Sequence, residues 1–139
     1  MNPIRLVLRS FLWKSFAHQL IDARPAARFL GQVDEPRAGL LRGHLPGAAN
    51  LPFEQLSFQS ETGVRPLLKS ADTLRTLWTE RGASVDDVER PILCSCGSGV
   101  TACQLIWSLN VIGRTQNVWL YNGSWSEWGA PEHDVPREL

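Results

Sequence analysis

The residues best suited to chemistry lie in one run, Cys96-Gly97-Ser98-Gly99-Val100-Thr101, set between a strand-like stretch, Pro91-Ile-Leu-Cys-Ser95, and a helical pattern from about Thr101 to Ile112. A loop with two glycines can curl so that successive backbone N–H groups point inward, and the following helix adds the positive end of its dipole. That makes an anion nest with a thiol at its base. A cysteine so placed loses its proton more readily than a free one, whose pKa is ~8.5, and is a thiolate at neutral pH. Two reactions use such a thiolate. Phosphoryl transfer needs a guanidinium clamp within the loop, and the position where cysteine phosphatases carry that Arg is Ala102, so a dianionic phosphate would lack its main charge partner. Sulfur transfer needs a thiolate that attacks a sulfur atom and N–H groups that hold the resulting persulfide anion.

The elements that must position this loop follow from the rest of the chain. Its 139 residues are about one domain, and 43% hydrophobic with 20% charged is ordinary globular usage. Fourteen basic residues balance fourteen acidic ones, which argues against a nucleic-acid or membrane-surface partner and makes any anion site local. Beyond residue 18, strand-like and helix-like patches alternate, the pattern of an α/β domain with a central parallel sheet flanked by helices. Gln19-Leu-Ile-Asp22, Ala49-Asn-Leu-Pro52, Pro91–Ser95 and Asn117–Tyr121 read as strands, and Ser70 to Arg81 is the clearest helix, capped by Ser70 and ended by Gly82. Arg24 to Gly43 is a long loop with a helical turn near Ala26–Phe29, and loops of that length are usually functional. Phe53 to Leu68 reads as a short helix and then loop, Ser124 as the cap of a short helical segment, and the tail from Pro131 as a strap or a frayed end.

The cysteines Cys94, Cys96 and Cys103 are odd in number and crowded, which predicts reduced thiols in a reducing compartment, read as the cytoplasm. Cys94 is expected to pack in the core. Cys103 is open to two readings, core packing against the sheet or a resolving thiol. Zinc is not expected, because His44 and His133 are isolated and no second ligand pair stands at zinc spacing. The apolar runs fall short of a membrane span, which predicts a soluble protein. Residues 1–17 are set apart from a domain over 18–139. Arg5, Arg9 and Lys14 with no acid, and Ile4, Leu6, Leu8, Phe11, Leu12 and Phe16 on one helical face, fit either a first helix packed on the domain or a mitochondrial address.

Four motifs in order, Leu20-Ile-Asp-Ala-Arg24, Gly43-His-Leu-Pro-Gly-Ala-Ala-Asn50, Cys96-Gly-Ser-Gly-Val-Thr101 and Gly123-Ser-Trp-Ser-Glu-Trp128, resemble the rhodanese superfamily. Within it they resemble the C-terminal catalytic domain of the 3-mercaptopyruvate sulfurtransferases. The resemblance covers roughly residues 19 to 135 and implies a rhodanese-like fold that moves sulfur from 3-mercaptopyruvate or thiosulfate, through a Cys96 persulfide, to a thiol such as thioredoxin or a small thiol, or to cyanide. It implies no cofactor. It gives Arg28 and Arg37 the substrate carboxylate, Ser98 and Thr101 the proton or the sulfur, and the amides of Gly97, Gly99 and Val100 the developing charge. It also sets two departures. The family's two-domain members have an N-terminal rhodanese domain that this chain does not carry, so such a domain would come from another chain, and Asn122 stands where Asp is commoner. A persulfide carrier of low turnover, an interaction module, and a fragment of a two-domain enzyme therefore stand as alternatives. Of the other candidates, Arg24 is expected to pair with Asp22 and His44 to bond backbone. Trp107 and Trp119 are expected in the core, and Trp125 and Trp128 either there or in the pocket wall.

Overall fold

The computed structural model describes residues 4–12, 19–59, 61–63 and 66–139. Its elements run β1 (Arg5–Val7), α1 (Arg9–Leu12), β2 (Gln19–Asp22), α2 (Ala26–Phe29), β3 (Ala49–Asn50), β4 (Ser57–Gln59), β5 (Pro66–Leu68), α3 (Ala71–Glu80), β6 (Ile92–Ser95), α4 (Ala102–Val111), β7 (Val118–Tyr121) and α5 (Ser124–Trp128). The first sheet has the order β1-β7-β6-β2-β3, and every pairing in it is parallel. β6, which leads into the Cys96 loop, is its central strand.

Parallel strands covered on both faces are apolar on both faces, and β6 and β7 follow that rule. Ile92, Cys94, Val118 and Leu120 point to one side, where Leu74 and Trp78 of α3 and Leu105, Ile106 and Leu109 of α4 cover them. Leu93, Trp119 and Tyr121 point to the other, against Val7, Leu12, Trp125 and Trp128. The two covering helices are tied by Trp78, whose Nε1–H donates to Ser108 Oγ at 2.9 Å. The expected caps are in place: Ser70 Oγ accepts from the Thr73 N–H at 3.3 Å, and Gly82 and Gly113 leave their helices with φ of +76° and +86°.

At the carboxyl end of β2 lies a buried ion network. Arg24, 1% exposed, donates to both carboxylate oxygens of Asp22, to Glu35 at 2.8 Å and to the carbonyl of Gly43 at 2.8 Å. Its guanidinium also lies 4.6 Å from the ring centroid of Trp125, a cation–π contact. The network thus joins β2 to both ends of the long loop and to α5.

Three expectations are corrected. Arg5–Val7 is an edge strand beside β7, not a turn of helix, because the sheet edge offers the backbone partners that so short a helix lacks. Among the described residues before β2, only Arg9–Leu12 is helical, Leu6 and Leu8 are exposed, and Lys14 and Phe16 lie outside the described residues. After a 3-10 turn over Phe53–Leu56, the segment to Leu68 holds an antiparallel pair, β4 with β5, and not loop alone. Ser124 is not a cap, since it lies within α5 and turns its hydroxyl beneath the Cys96 loop. The tail is a strap: Glu138 bridges His44, and the Pro136 carbonyl accepts from Trp128 Nε1.

Removing one partner from a buried ion pair strands the other charge, at a cost of about 3–5 kcal/mol, whereas exposed pairs contribute ~0–1 kcal/mol. Asp22→Ala is accordingly expected to lower the urea-unfolding free energy by about 3–5 kcal/mol. Asp34→Ala, which breaks the exposed pair with Arg42, should change it by less than about 1 kcal/mol. Equal losses in the two variants would contradict a special role for the buried network.

Candidate active site

Cys96 follows the last residue of β6, at the carboxyl end of the sheet where open α/β folds bind their ligands. Its side chain is 1% exposed, and Sγ accepts the Gly99 N–H at 3.0 Å. Burial by itself pushes this thiol up. The Thr101 hydroxyl and the backbone N–H groups of Ala102, Ser98 and Gly99 outweigh it and bring the group below its ordinary range. Cys94, two residues earlier, has burial and no such donors, and its thiol is pushed up, with Cys103 and Cys96 adding to the effect.

Two glycines allow the loop this shape. Gly99 has φ +89°, and a Cβ there would lie 3.0 Å from both the carbonyl and the Oδ1 of Asn122. Gly97 serves differently: a Cβ there would lie 2.8 Å from Nη2 of Arg28, so the guanidinium occupies the volume that a side chain would fill. Beneath the loop, the start of α5 holds the backbone. Ser124 Oγ accepts the Cys96 N–H at 3.1 Å and donates to the Tyr121 carbonyl at 2.8 Å. The Trp125 and Ser126 N–H groups donate to the carbonyls of Cys96 and Gly97, each at 2.9 Å. Ser124 takes a φ of +51°, rare for a residue with a Cβ, and the bonds of its hydroxyl to Cys96, Tyr121 and Ser95 hold it there.

Above Cys96 opens a cleft of about 320 Å³ lined by Gly97, Ser98, Val100 and Thr101 of the loop and by Arg28, Pro36 and Arg37 of the long segment after β2. The structure therefore places Arg28, Arg37, Gly97, Ser98, Val100 and Thr101 around Cys96, with the Gly99 N–H donating to the sulfur. Arg28 is held by both oxygens of Glu35, which is itself 1% exposed on its side chain. Asp22 and Glu35 together balance Arg24 and Arg28. Among the described residues no carboxylate pairs with Arg37, whose Nη1 donates instead to Ser126 Oγ at 2.8 Å.

Other candidates fall away from the cleft. Arg24 and His44 are structural as expected; the His44 ring bonds the Phe29 carbonyl at 2.7 Å and stacks on Phe29. Cys103 does not pack against the sheet. It is exposed on α4, its thiol 3.4 Å from the Gly99 carbonyl, because Leu105, Ile106 and Leu109 take the inward face. The same register turns Trp107 outward, 59% exposed, against the core position expected for it. Trp119 is buried, as are Trp125 and Trp128, which form core and not pocket wall. Sequence reasoning missed Glu35, Ser124 and Ser126 as individual residues, although the motifs contained or adjoined them. Their only signal was small or acidic side chains beside residues already chosen.

Thiolate reactivity follows ionisation, so peptide-resolved alkylation with iodoacetamide is expected to modify Cys96 with a midpoint below the ~8.5 of a free thiol, rising as pH passes through it. Cys94 should stay unmodified in the folded protein. Thr101→Val removes a donor to the sulfur and should move the Cys96 midpoint upward; an unmoved midpoint would show that the hydroxyl does not stabilise the thiolate.

Comparison with known proteins agrees with this geometry. The family model described as a rhodanese-like domain matches residues 8–131. The chain is 50% identical over 120 residues to the 3-mercaptopyruvate sulfurtransferase of Escherichia coli K12, a match covering 86% of this chain and 39% of that protein. It is 43% identical over 121 residues to the mitochondrial thiosulfate/3-mercaptopyruvate sulfurtransferase 1 of Arabidopsis thaliana, covering 87% and 29%. Among solved structures it superposes on the 3-mercaptopyruvate sulfurtransferase of Leishmania major with a TM-score of 0.76 at 30% identity, over 94% of this chain and 34% of that one. It thus spans about two-fifths or less of each of these relatives. On the extent of the family match and the identity to these proteins, the chain belongs to the rhodanese-like domain family.

Proposed function

We propose that this chain is the catalytic domain of a sulfurtransferase that takes a sulfur atom from 3-mercaptopyruvate, or from thiosulfate, onto Cys96 and passes it on as sulfane sulfur to a thiol or to cyanide. The observation that carries this reading is the Cys96 sulfur held by the Gly99 N–H at 3.0 Å at the base of a cleft walled by two arginines. In the forward half-reaction the thiolate attacks the donor sulfur and the S–S bond forms. The carbon–sulfur bond breaks, its electron pair passes to the enolate of pyruvate, and the proton of the donor thiol, given up by the new persulfide, completes pyruvate; with thiosulfate the sulfur–sulfur bond breaks and sulfite leaves with its electron pair. The persulfide charge falls among the same N–H groups that held the thiolate. In the return half, an acceptor thiolate such as that of thioredoxin or a small thiol attacks the outer sulfur, and Cys96 leaves as thiolate again. Arg28 and Arg37 bind the carboxylate and the keto oxygen, and Ser98 and Thr101 steady the transferred sulfur or its proton. With Arg28 offset by Glu35, one uncompensated guanidinium faces the substrate, which suits a monoanion better than a dianion such as thiosulfate. The three unbridged cysteines suit a reducing compartment such as the cytoplasm.

A second reading rests on the cleft mouth, where Val100 is 71% exposed. So open a site suits a persulfide carrier of low turnover whose cleft is completed by another surface, such as a second rhodanese-like domain on another chain. Incubation with mercaptopyruvate and with thiosulfate separates the two. An enzyme releases pyruvate or forms thiocyanate over many turnovers, while a carrier gains one sulfur by intact mass and stops. Cys96→Ser should abolish both results, and Arg37→Ala should raise KM for mercaptopyruvate about ten- to hundredfold, as expected for losing a charged hydrogen-bond pair. If neither donor gives a Cys96-dependent product or adduct, the proposal is wrong. Faster use of thiosulfate than of mercaptopyruvate would overturn the assignment of donor.

A further inference from the structure

We propose that Ser126 is a positioning residue that fixes Arg37 over the sulfur, so that carboxylate capture and the Cys96 loop act as one unit. The proposal rests on the reading that Arg37 binds a substrate carboxylate. Arg37 is an exposed residue on a long connection, and an arginine of that kind has many rotamers and loses much side-chain entropy when it is held. Its hydrogen-bond anchor is Ser126, with Nη1 donating to Oγ at 2.8 Å. Ser126 cannot turn away from this role. A serine hydroxyl has one proton, and Ser126 gives it to the Gly97 carbonyl, which also accepts the Ser126 N–H at 2.9 Å. The lone pairs of Oγ are therefore left to face Arg37 as acceptors. The chain of contacts runs from the guanidinium through the hydroxyl to the backbone one residue after Cys96. A shift of the loop carries Arg37 with it.

This assigns a different task to each arginine. Arg28 is aimed by a buried carboxylate, Glu35, and sits against Gly97. Arg37 is aimed by a neutral hydroxyl, so it is oriented without being neutralised, and its remaining N–H groups keep their full charge for the ligand. A carboxylate in the place of Ser126 would orient Arg37 equally well and cancel the charge.

The test compares two alkylating reagents on Cys96, neutral iodoacetamide and anionic iodoacetate, both of which lose iodide to the thiolate. Iodoacetamide reads the thiolate and the integrity of the loop; the ratio of iodoacetate to iodoacetamide rates reads carboxylate capture. In Ser126→Ala the backbone N–H bond to Gly97 remains, so the iodoacetamide rate should hold while the ratio falls about three- to tenfold, the loss expected for one hydrogen bond. Arg37→Ala should lower the ratio at least as far, and Ser126→Thr, which keeps a hydroxyl, should restore it. A Ser126→Ala ratio equal to wild type overturns the proposal, as does an equal slowing of both reagents, which would mean that Ser126 serves only the loop. A wild-type ratio no higher than that of Arg37→Ala overturns it as well. Failure of the sulfurtransferase reading is seen separately, as absence of pyruvate release by the wild-type protein.

Discussion

A single guanidinium removed from water constrains the molecule more than any other group. Arg24 is shut off from solvent, and each of its three guanidinium nitrogens finds an acceptor among Asp22, Glu35 and the Gly43 carbonyl. A buried ion of this kind is tolerated only where every donor finds a partner. Its partners lie on β2, in the middle of the long loop and at its end, so satisfying Arg24 fixes the path of that loop. Glu35, once placed by Arg24, has a second oxygen to give, and that oxygen holds Arg28. Arg28, which lines the cleft, is thus positioned by a charge network whose root lies in the core.

The sulfur is governed by a different kind of force. Backbone N–H groups and the Thr101 hydroxyl bring the Cys96 thiol below its ordinary range. Dipoles fixed by covalent geometry need no reorganisation as charge moves from one sulfur to the next, which is the property a persulfide site requires. In the proposed reaction this arrangement divides the labour: the loop would handle the charge that moves, and the arginines the charge that stays on the donor. α5 joins the two, because its first three residues bond the Cys96 and Gly97 backbone while Ser126 reaches Arg37.

Much of this was legible in the chain. Alternating apolar runs bounded by glycine and proline gave β2, β6 and β7, and the two-glycine loop before a helix marked the thiol, because backbone geometry there depends on local residue types. Arg28 and Arg37 came from a resemblance and not from spacing, and the cleft contains both. What was hidden shares one cause, partners distant in sequence. The edge strand at Arg5–Val7 exists because β7 lies beside it. Trp107 turns outward because leucines and an isoleucine of the same helix pack better inward. Ser124 reads as an ordinary cap, and only its position beneath Cys96 reveals why it tolerates an unfavourable backbone angle.

The space beside Gly97 has a further consequence. Because Arg28 fills the volume that a side chain at 97 would need, the two positions compete for one site, and their substitutions cannot be independent. A side chain at 97 requires the end of Arg28 to shift, and with it the bonds of Arg28 to Glu35. The route by which this loop could acquire a cation of its own therefore passes through the buried network.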